Sequence, residues 1–374
     1  MWPTTVRSLN PGRLEMARLP AKRIPAEMPL AITIFGATKL DMSRFRSCAP
    51  SSKKSNSELG LMTELPVPED VLKAAHRIRG CIEQTSIFTC KSLNDLSGAE
   101  LFFKCENLQK TGSFKFRGAS NALQILAEQG LPRAVATHSS GNHGAALAKA
   151  AADRGVEAQI VMPNNAPKVK QEAVQAYDGI ITHCEPTLDA RESTLKKILK
   201  KLEAEEIPPY NDSRIISGQG TAALELCNEI PDLDFVVTPV GGGGLLSGTA
   251  LALQTEWPQI RLVGAEPLNA DDAKRSLDAG RLIPATRTDT IADGLRTSLG
   301  SLTFPLIQKY VETILTVSEE PIISATRLIW QRMKMVVEPS GAVPLAVVLN
   351  HSDIFEGKRI GVIASGGNYD PGIR

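Results

Sequence analysis

The chain has 374 residues, 42% of them hydrophobic and 22% charged, which allows two ordinary globular domains or one large one and excludes disordered, collagen-like and membrane-spanning classes. Its formal net charge of +1 provides no overall field to hold nucleic acid or an anionic membrane, so neither is an expected partner. Six scattered cysteines form no C-x-x-C pair and five histidines supply no second half of a zinc site, which fits a reduced compartment.

Residues 1–60 differ from the rest. Ten Lys/Arg face four acids there, so the remaining chain is acidic by about five charges, and no steady hydrophobic period is present. This segment reads as a disordered or targeting leader. A cytoplasmic location is expected, with mitochondrion or plastid as the alternative if the leader is a transit peptide, although Glu15 and Glu27 are unusual in one. An upstream mis-assigned start is a further possibility, because Met62 stands just before the first clear helix signal. The longest apolar stretch, around Pro29 to Ala37, is well short of the roughly 20 residues a spanning helix needs.

Regular structure is predicted from Pro66. In PVPEDVLKAAHRIRGCI, Val71, Ala74, Ala75, Ile78 and Ile82 recur at helical spacing behind an acidic first turn. Apolar strands and helices then alternate: AELFFKCE, a helix after FRGASNALQIL, RAVATHSS, a helix from GNHGAALAKAAADRG, and EAQIVMP. The alternation returns with DFVVTPV, the helix LLSGTALALQT, IRLVGAEP, the helix EPIISATRLIWQRMK, and RIGVIASGG. Such a chain is α/β with mostly parallel strands, and its ligands belong at the carboxyl ends of those strands.

Four segments at such positions carry candidate chemistry. Gly241, Gly242, Gly243 and Gly244 follow the strand Phe235 to Val240 and open an apolar helix; bare backbone N–H groups beside a helix N-terminus form an anion cradle. The run matches neither G-x-G-x-x-G, since Leu246 and Ser247 fall where the third glycine should be, nor the P-loop, so no dinucleotide or nucleoside triphosphate is indicated here. In QKTGSFKFRGA, Lys115 lies between Phe114 and Phe116; an amine among apolar neighbours has a lowered pKa and can form a Schiff base with a carbonyl cofactor. In THSSGNHGAAL, Ser139, Ser140, Asn142 and His143 bring polar donors to a helix start, suited to a carboxylate or phenolate oxygen. In IASGGN, Ser365 offers one hydrogen bond at a pocket floor. Taken singly, the first three have an ordinary reading, a packing turn, a snorkelling lysine and an N-cap, and the fourth says little by itself.

Together and in this order, the four resemble the fold-type II pyridoxal phosphate enzymes of the tryptophan synthase beta type, and within them the serine racemase and serine/threonine dehydratase group, over Pro68 to Asp370. The resemblance implies two domains, each a mostly parallel sheet flanked by helices: a large cofactor domain of residues 66–132 and 212–374 and a small domain of 133–211. It implies that Lys115 bears the pyridoxal 5'-phosphate and moves the Cα proton, with Phe114 against the ring. Gly241 to Gly244 would bind the phosphate, Asn142 the phenolic oxygen and Ser365 the pyridine nitrogen. Ser139, Asn142 and His143 would hold the substrate carboxylate, with Ser140 also among the substrate-binding residues. Ser140 is implied as the second proton donor, on the cofactor face opposite Lys115, which favours racemisation; 3-hydroxyaspartate dehydratases resemble the same pattern.

GAEPLNADD is similar to the divalent-metal loop of these enzymes, with Glu266, the Ala270 carbonyl and Asp272 as oxygen ligands for Mg2+ or Ca2+. Two departures bear on regulation. Ala145 stands where animal serine racemases have a glutamine of an ATP site, so ATP activation is not expected although Lys110 is retained. The chain ends at Arg374, without the regulatory domain of biosynthetic threonine dehydratases, so isoleucine feedback is not expected. The expected activity is interconversion of L- and D-serine with loss of water from L-serine to pyruvate and ammonia. The alternative is a threo-3-hydroxyaspartate or L-threonine/L-serine dehydratase without racemisation. A homodimer acting on a small amino acid is implied.

Overall fold

The computed structural model describes residues 32–34, 64–139 and 141–370. Its strands, in chain order, are β1 (Ile32–Ile34), β2 (Ile87–Cys90), β3 (Glu100–Cys105), β4 (Ala134–His138), β5 (Glu157–Pro163), β6 (Ile180–Cys184), β7 (Glu205–Glu206), β8 (Phe235–Pro239), β9 (Arg261–Pro267), β10 (Thr313–Val317) and β11 (Arg359–Ala364). Seven form one sheet in the order β1-β2-β3-β11-β8-β9-β10 and four form a second in the order β6-β5-β4-β7. The second sheet is parallel throughout; in the first, β1 and β2 join antiparallel at one edge and the rest is parallel. β1 lies within the stretch read from sequence as a leader.

Both sheets are covered on both faces, which explains why their strands read as apolar runs rather than as alternating ones. Phe235 and Val237 of β8 enter one core cluster while Val236 enters the opposite one. Val135 and Ala136 divide in the same way in the small sheet. The helix Gly244–Glu256 is buried through Leu253, consistent with its lack of a polar face.

The chain leaves the large sheet after β3 through the helix Lys115–Gln129 and returns from the small one through the helix Ser213–Glu229. These two crossing helices pack closely, since a Cβ on Gly218 would stand 2.6 Å from the Cα of Gly118. Two helices end earlier than their periodicity predicts. The first spans Pro68–Ile78, and Gly80 at φ +85 turns the chain so that Ile82 meets the small-sheet core from outside the helix. Glu319–Leu328 is regular, but Ile329–Met333 widens to a π turn that ends at Lys334 with φ 59.

Candidate active site

The polar motifs stand at carboxyl ends of strands: residues 139–143 after β4, the glycine run after β8, Glu266 at the end of β9 and Ser365 after β11. Lys115 is the first residue of its helix, behind Phe114, whose ring centroid is 5.1 Å from Nζ. Ser113 forms an isolated antiparallel bridge with Gly366, and the Phe114 amide donates to the Ser365 carbonyl at 3.0 Å, so the lysine segment is bound to the end of β11.

The Lys115 ammonium donates to the Pro209 carbonyl at 2.7 Å. Burial pulls its pKa from 10.5 down to about 8, with the Glu338 carboxyl opposing the change. Tyr210, the next residue, is packed on the glycine run: a Cβ on Gly242 would lie 2.4 Å from its ring and one on Gly244 2.9 Å from its Cβ. The loop 209–210 therefore brings the amine and the cradle together. Gly243 caps the helix Gly244–Glu256 at φ +87, a left-handed conformation open to glycine. Thr303 Oγ1 donates to the Gly242 carbonyl at 2.9 Å, which helps hold this loop.

On the other wall, Ser139 Oγ accepts from the amides of Gly141 at 3.3 Å and Gly144 at 3.2 Å, closing the start of the helix Asn142–Ala152. Ser140 lies outside the described residues. Asn142 spans the two sheets: its Nδ2 donates to Glu338 Oε1 at 2.7 Å and its Oδ1 accepts from Asn368 Nδ2 at 3.0 Å. His143 is buried, with Nε2 2.9 Å from the Ile207 carbonyl and, among the described residues, no partner at Nδ1. Burial first, then the nearby Lys115 ammonium, lowers its pKa to about 3, so the imidazole is neutral. Lys170 pairs with Asp293 across the same cleft, and its Nζ lies 3.8 Å from where a Cβ on Gly141 would stand.

Glu266 is buried, and its two carboxylate oxygens accept from the amides of Ala273 at 2.8 Å and Lys274 at 2.9 Å. Asp272 accepts from the Leu299 amide at 3.3 Å, and Ala270 is buried between them in sequence. Burial raises Glu266 to about 9 and Asp272 to about 6, each also pushed up by neighbouring aspartates. Two oxygen donors in need of positive charge suit a hard cation. Among the described residues no group of three or more His, Cys, Asp and Glu side chains gathers, so such a site needs backbone oxygen or water as well. Ala145 is 4% exposed and packs into the small-sheet core, so position 145 offers no polar side chain to a nucleotide.

Four residues of the site have little signal in the sequence. Glu338 caps the helix Pro339–Asn350 and is fully enclosed; burial, reinforced by Asp293, raises its carboxyl to about 7. Its mark was the Glu-Pro helix start. Asn368 closes the quoted SGGN, while Pro209 and Tyr210 belong to an irregular loop without periodicity.

A half-buried amine bonded, among the described residues, to a carbonyl, a glycine loop at a helix start and a polar wall fit pyridoxal phosphate: an aldehyde, an anionic tail and a ring to hold. The comparisons agree. Residues 78–366 match the family model described as pyridoxal-phosphate dependent enzyme. The beta-hydroxyaspartate dehydratase of Paracoccus denitrificans (strain Pd 1222) is 47% identical over 306 residues, covering 82% of this chain and 97% of that protein. The serine racemase of Dictyostelium discoideum is 46% identical over 306 residues, covering 81% and 94%. Its crystal structure superposes with a TM-score of 0.78 over 82% of this chain and 99% of that one. Maize serine racemase superposes with a TM-score of 0.80 at 41% identity, covering 83% and 95%. This chain belongs to the pyridoxal-phosphate dependent enzymes of fold type II, in the racemase and ammonia-lyase group that contains the serine racemases and threonine deaminases.

Proposed function

We propose that this enzyme is a serine racemase that interconverts L- and D-serine and also removes water from L-serine to give pyruvate and ammonia. The observation that carries the reading is the Ser139–Ser140 pair in the sequence ahead of Asn142, in a chain 46% identical to a serine racemase. When bound, pyridoxal phosphate supplies an electron sink for the pair left at Cα. Lys115 would hold the cofactor through its amine and, once the substrate amine had displaced it, would take the Cα proton on one face; as a free amine its pKa is lowered to about 8, suited to moving a proton in either direction. Ser140 would deliver a proton to the opposite face. Gly241 to Gly244 would bind the phosphate, Phe114 would lie against the ring, and Asn142, oriented by Glu338 and Asn368, would hydrogen-bond the phenolic oxygen. Ser365 would offer the ring nitrogen a neutral hydroxyl, which limits electron withdrawal and disfavours transamination. Ser139, Ser140, Asn142 and His143 receive the substrate carboxylate.

A second reading, dehydration of a 3-hydroxyaspartate, is favoured by the Paracoccus relative, a beta-hydroxyaspartate dehydratase, and by Lys170, a cation beside Gly141 that a second substrate carboxylate could meet. Chiral analysis of products from L-serine separates the two. D-serine accumulating with pyruvate supports racemisation, and pyruvate alone favours the dehydratase. We also assign the two sheets to two domains, Glu266, Ala270 and Asp272 to Mg2+ or Ca2+, and the functional unit to a homodimer in the cytoplasm.

A further inference from the structure

Behind the first turn of the lysine helix lies a buried ionic network that the chemistry above does not use. Arg117 is 0% exposed, two residues after Lys115, which turns its side chain away from the cleft. All five of its N–H donors are engaged. Nε and Nη2 donate to Glu106 at 2.7 and 2.8 Å, Nη1 and Nη2 to Glu225 at 2.7 and 2.8 Å, and Nη1 also to Thr221 Oγ1 at 3.2 Å. Lys104 donates to Glu225 at 2.6 Å, so two cations balance two carboxylates. The anchors come from three places: Lys104 is on β3, Glu106 just after it, and Thr221 and Glu225 on the helix Ser213–Glu229.

We infer that Arg117 is a positioning residue for Lys115: its doubly bidentate grip on Glu106 and Glu225 fixes the first helical turn, and with it the direction in which the amine enters the cleft. Three features carry this inference. The network joins the end of a strand in the large sheet to both crossing helices, one of which begins at Lys115. A planar guanidinium held at every donor leaves no rotational freedom, whereas a single lysine charge at the same place could satisfy only part of two carboxylates. A hydrophobic contact of similar size would fill the space without fixing an angle. Reaction rates respond to displacements of about 1 Å with losses of up to about a hundredfold, so an anchor of this stiffness bears directly on turnover.

The inference rests on Lys115 as the cofactor lysine, and the experiment separates the two. Holoenzyme of wild type, Arg117→Lys, Thr221→Val and Lys115→Ala is compared by visible circular dichroism of the cofactor band, by cofactor retention on dialysis, and by kcat and KM separately. Arg117→Lys keeps the charge count; it is expected to alter the dichroism of the band and to lower kcat by about tenfold or more with KM within about twofold. Thr221→Val removes one acceptor and is expected to move the same readouts less, in the same direction; it decides the matter if Arg117→Lys does not fold. A folded variant that melts at lower temperature but keeps the wild-type band and kcat overturns the inference, because the network would then serve stability alone. A borohydride-sensitive band surviving in Lys115→Ala would instead sink the assignment of Lys115.

Discussion

Replacing Lys115 by methionine should make the cofactor-free protein more stable near pH 7, although the change removes its chemistry. The amine is held at about 8 against an ordinary 10.5, chiefly by burial. That gap corresponds to about 3 kcal/mol at ~1.36 kcal/mol per tenfold in proton affinity. The side chain keeps partial exposure along the cleft, which screens the charge and trims the figure. Methionine also leaves the Pro209 carbonyl without its donor, a loss of about 1 kcal/mol, so the net gain expected is about 1–2 kcal/mol. The sign with pH follows from linkage. Between about 8 and 10.5 the unfolded chain binds this proton and the folded chain does not, so wild-type stability rises through that window and the advantage of the variant shrinks. Below about 8 both states hold the proton and the advantage is full. Urea unfolding of both cofactor-free proteins at about pH 7 and about pH 10, read by tryptophan fluorescence, measures the difference. An equal or less stable variant at the lower pH, or an advantage that does not change with pH, would refute the claim that a costly buried amine is maintained for reactivity.

Gly242→Ala should weaken cofactor affinity by at least about tenfold, because its new Cβ would lie 2.4 Å from the Tyr210 ring and displacing that ring disturbs the loop receiving Lys115. Spectroscopic titration with pyridoxal phosphate tests this, and unchanged affinity contradicts it. Asp212→Ala should cost about 2 kcal/mol, since Asp212 is 3% exposed and caps the helix Ser213–Glu229 through the amides of Arg214 at 2.8 Å and Ile215 at 3.3 Å. A urea midpoint equal to wild type would show that the cap is dispensable. Removal of divalent metal by EDTA should lower the melting temperature, with recovery on adding Mg2+ or Ca2+, because Glu266 and Asp272 are buried with raised pKa values that a cation would relieve. Insensitivity to both treatments would remove the metal from the proposed function.

Much of the fold and part of the site were legible in the sequence because their causes are local. Strands buried on both faces must be apolar runs, so Phe235 to Pro239 and Arg359 to Ala364 announced themselves, and the small polar residues following them marked the strand ends where the proposed site lies. Glycines at a helix start are visible for the same reason: a backbone that must come close to another group admits no side chain. The lysine could be picked out, but not what surrounds it. That Lys115 donates to Pro209, that Tyr210 joins it to Gly242, and that Glu338 and Asn368 orient Asn142 depend on contacts between segments up to 226 residues apart. No periodicity or spacing encodes such pairs. Arg117 shows the division most plainly: by itself it is one more basic residue on a helix, and its neutral, fully bonded setting exists only where β3 and the two crossing helices meet. Composition and pattern decide which faces avoid water, whereas the separation of charges in three dimensions, and so the pKa and direction of a reactive amine, is decided by tertiary packing.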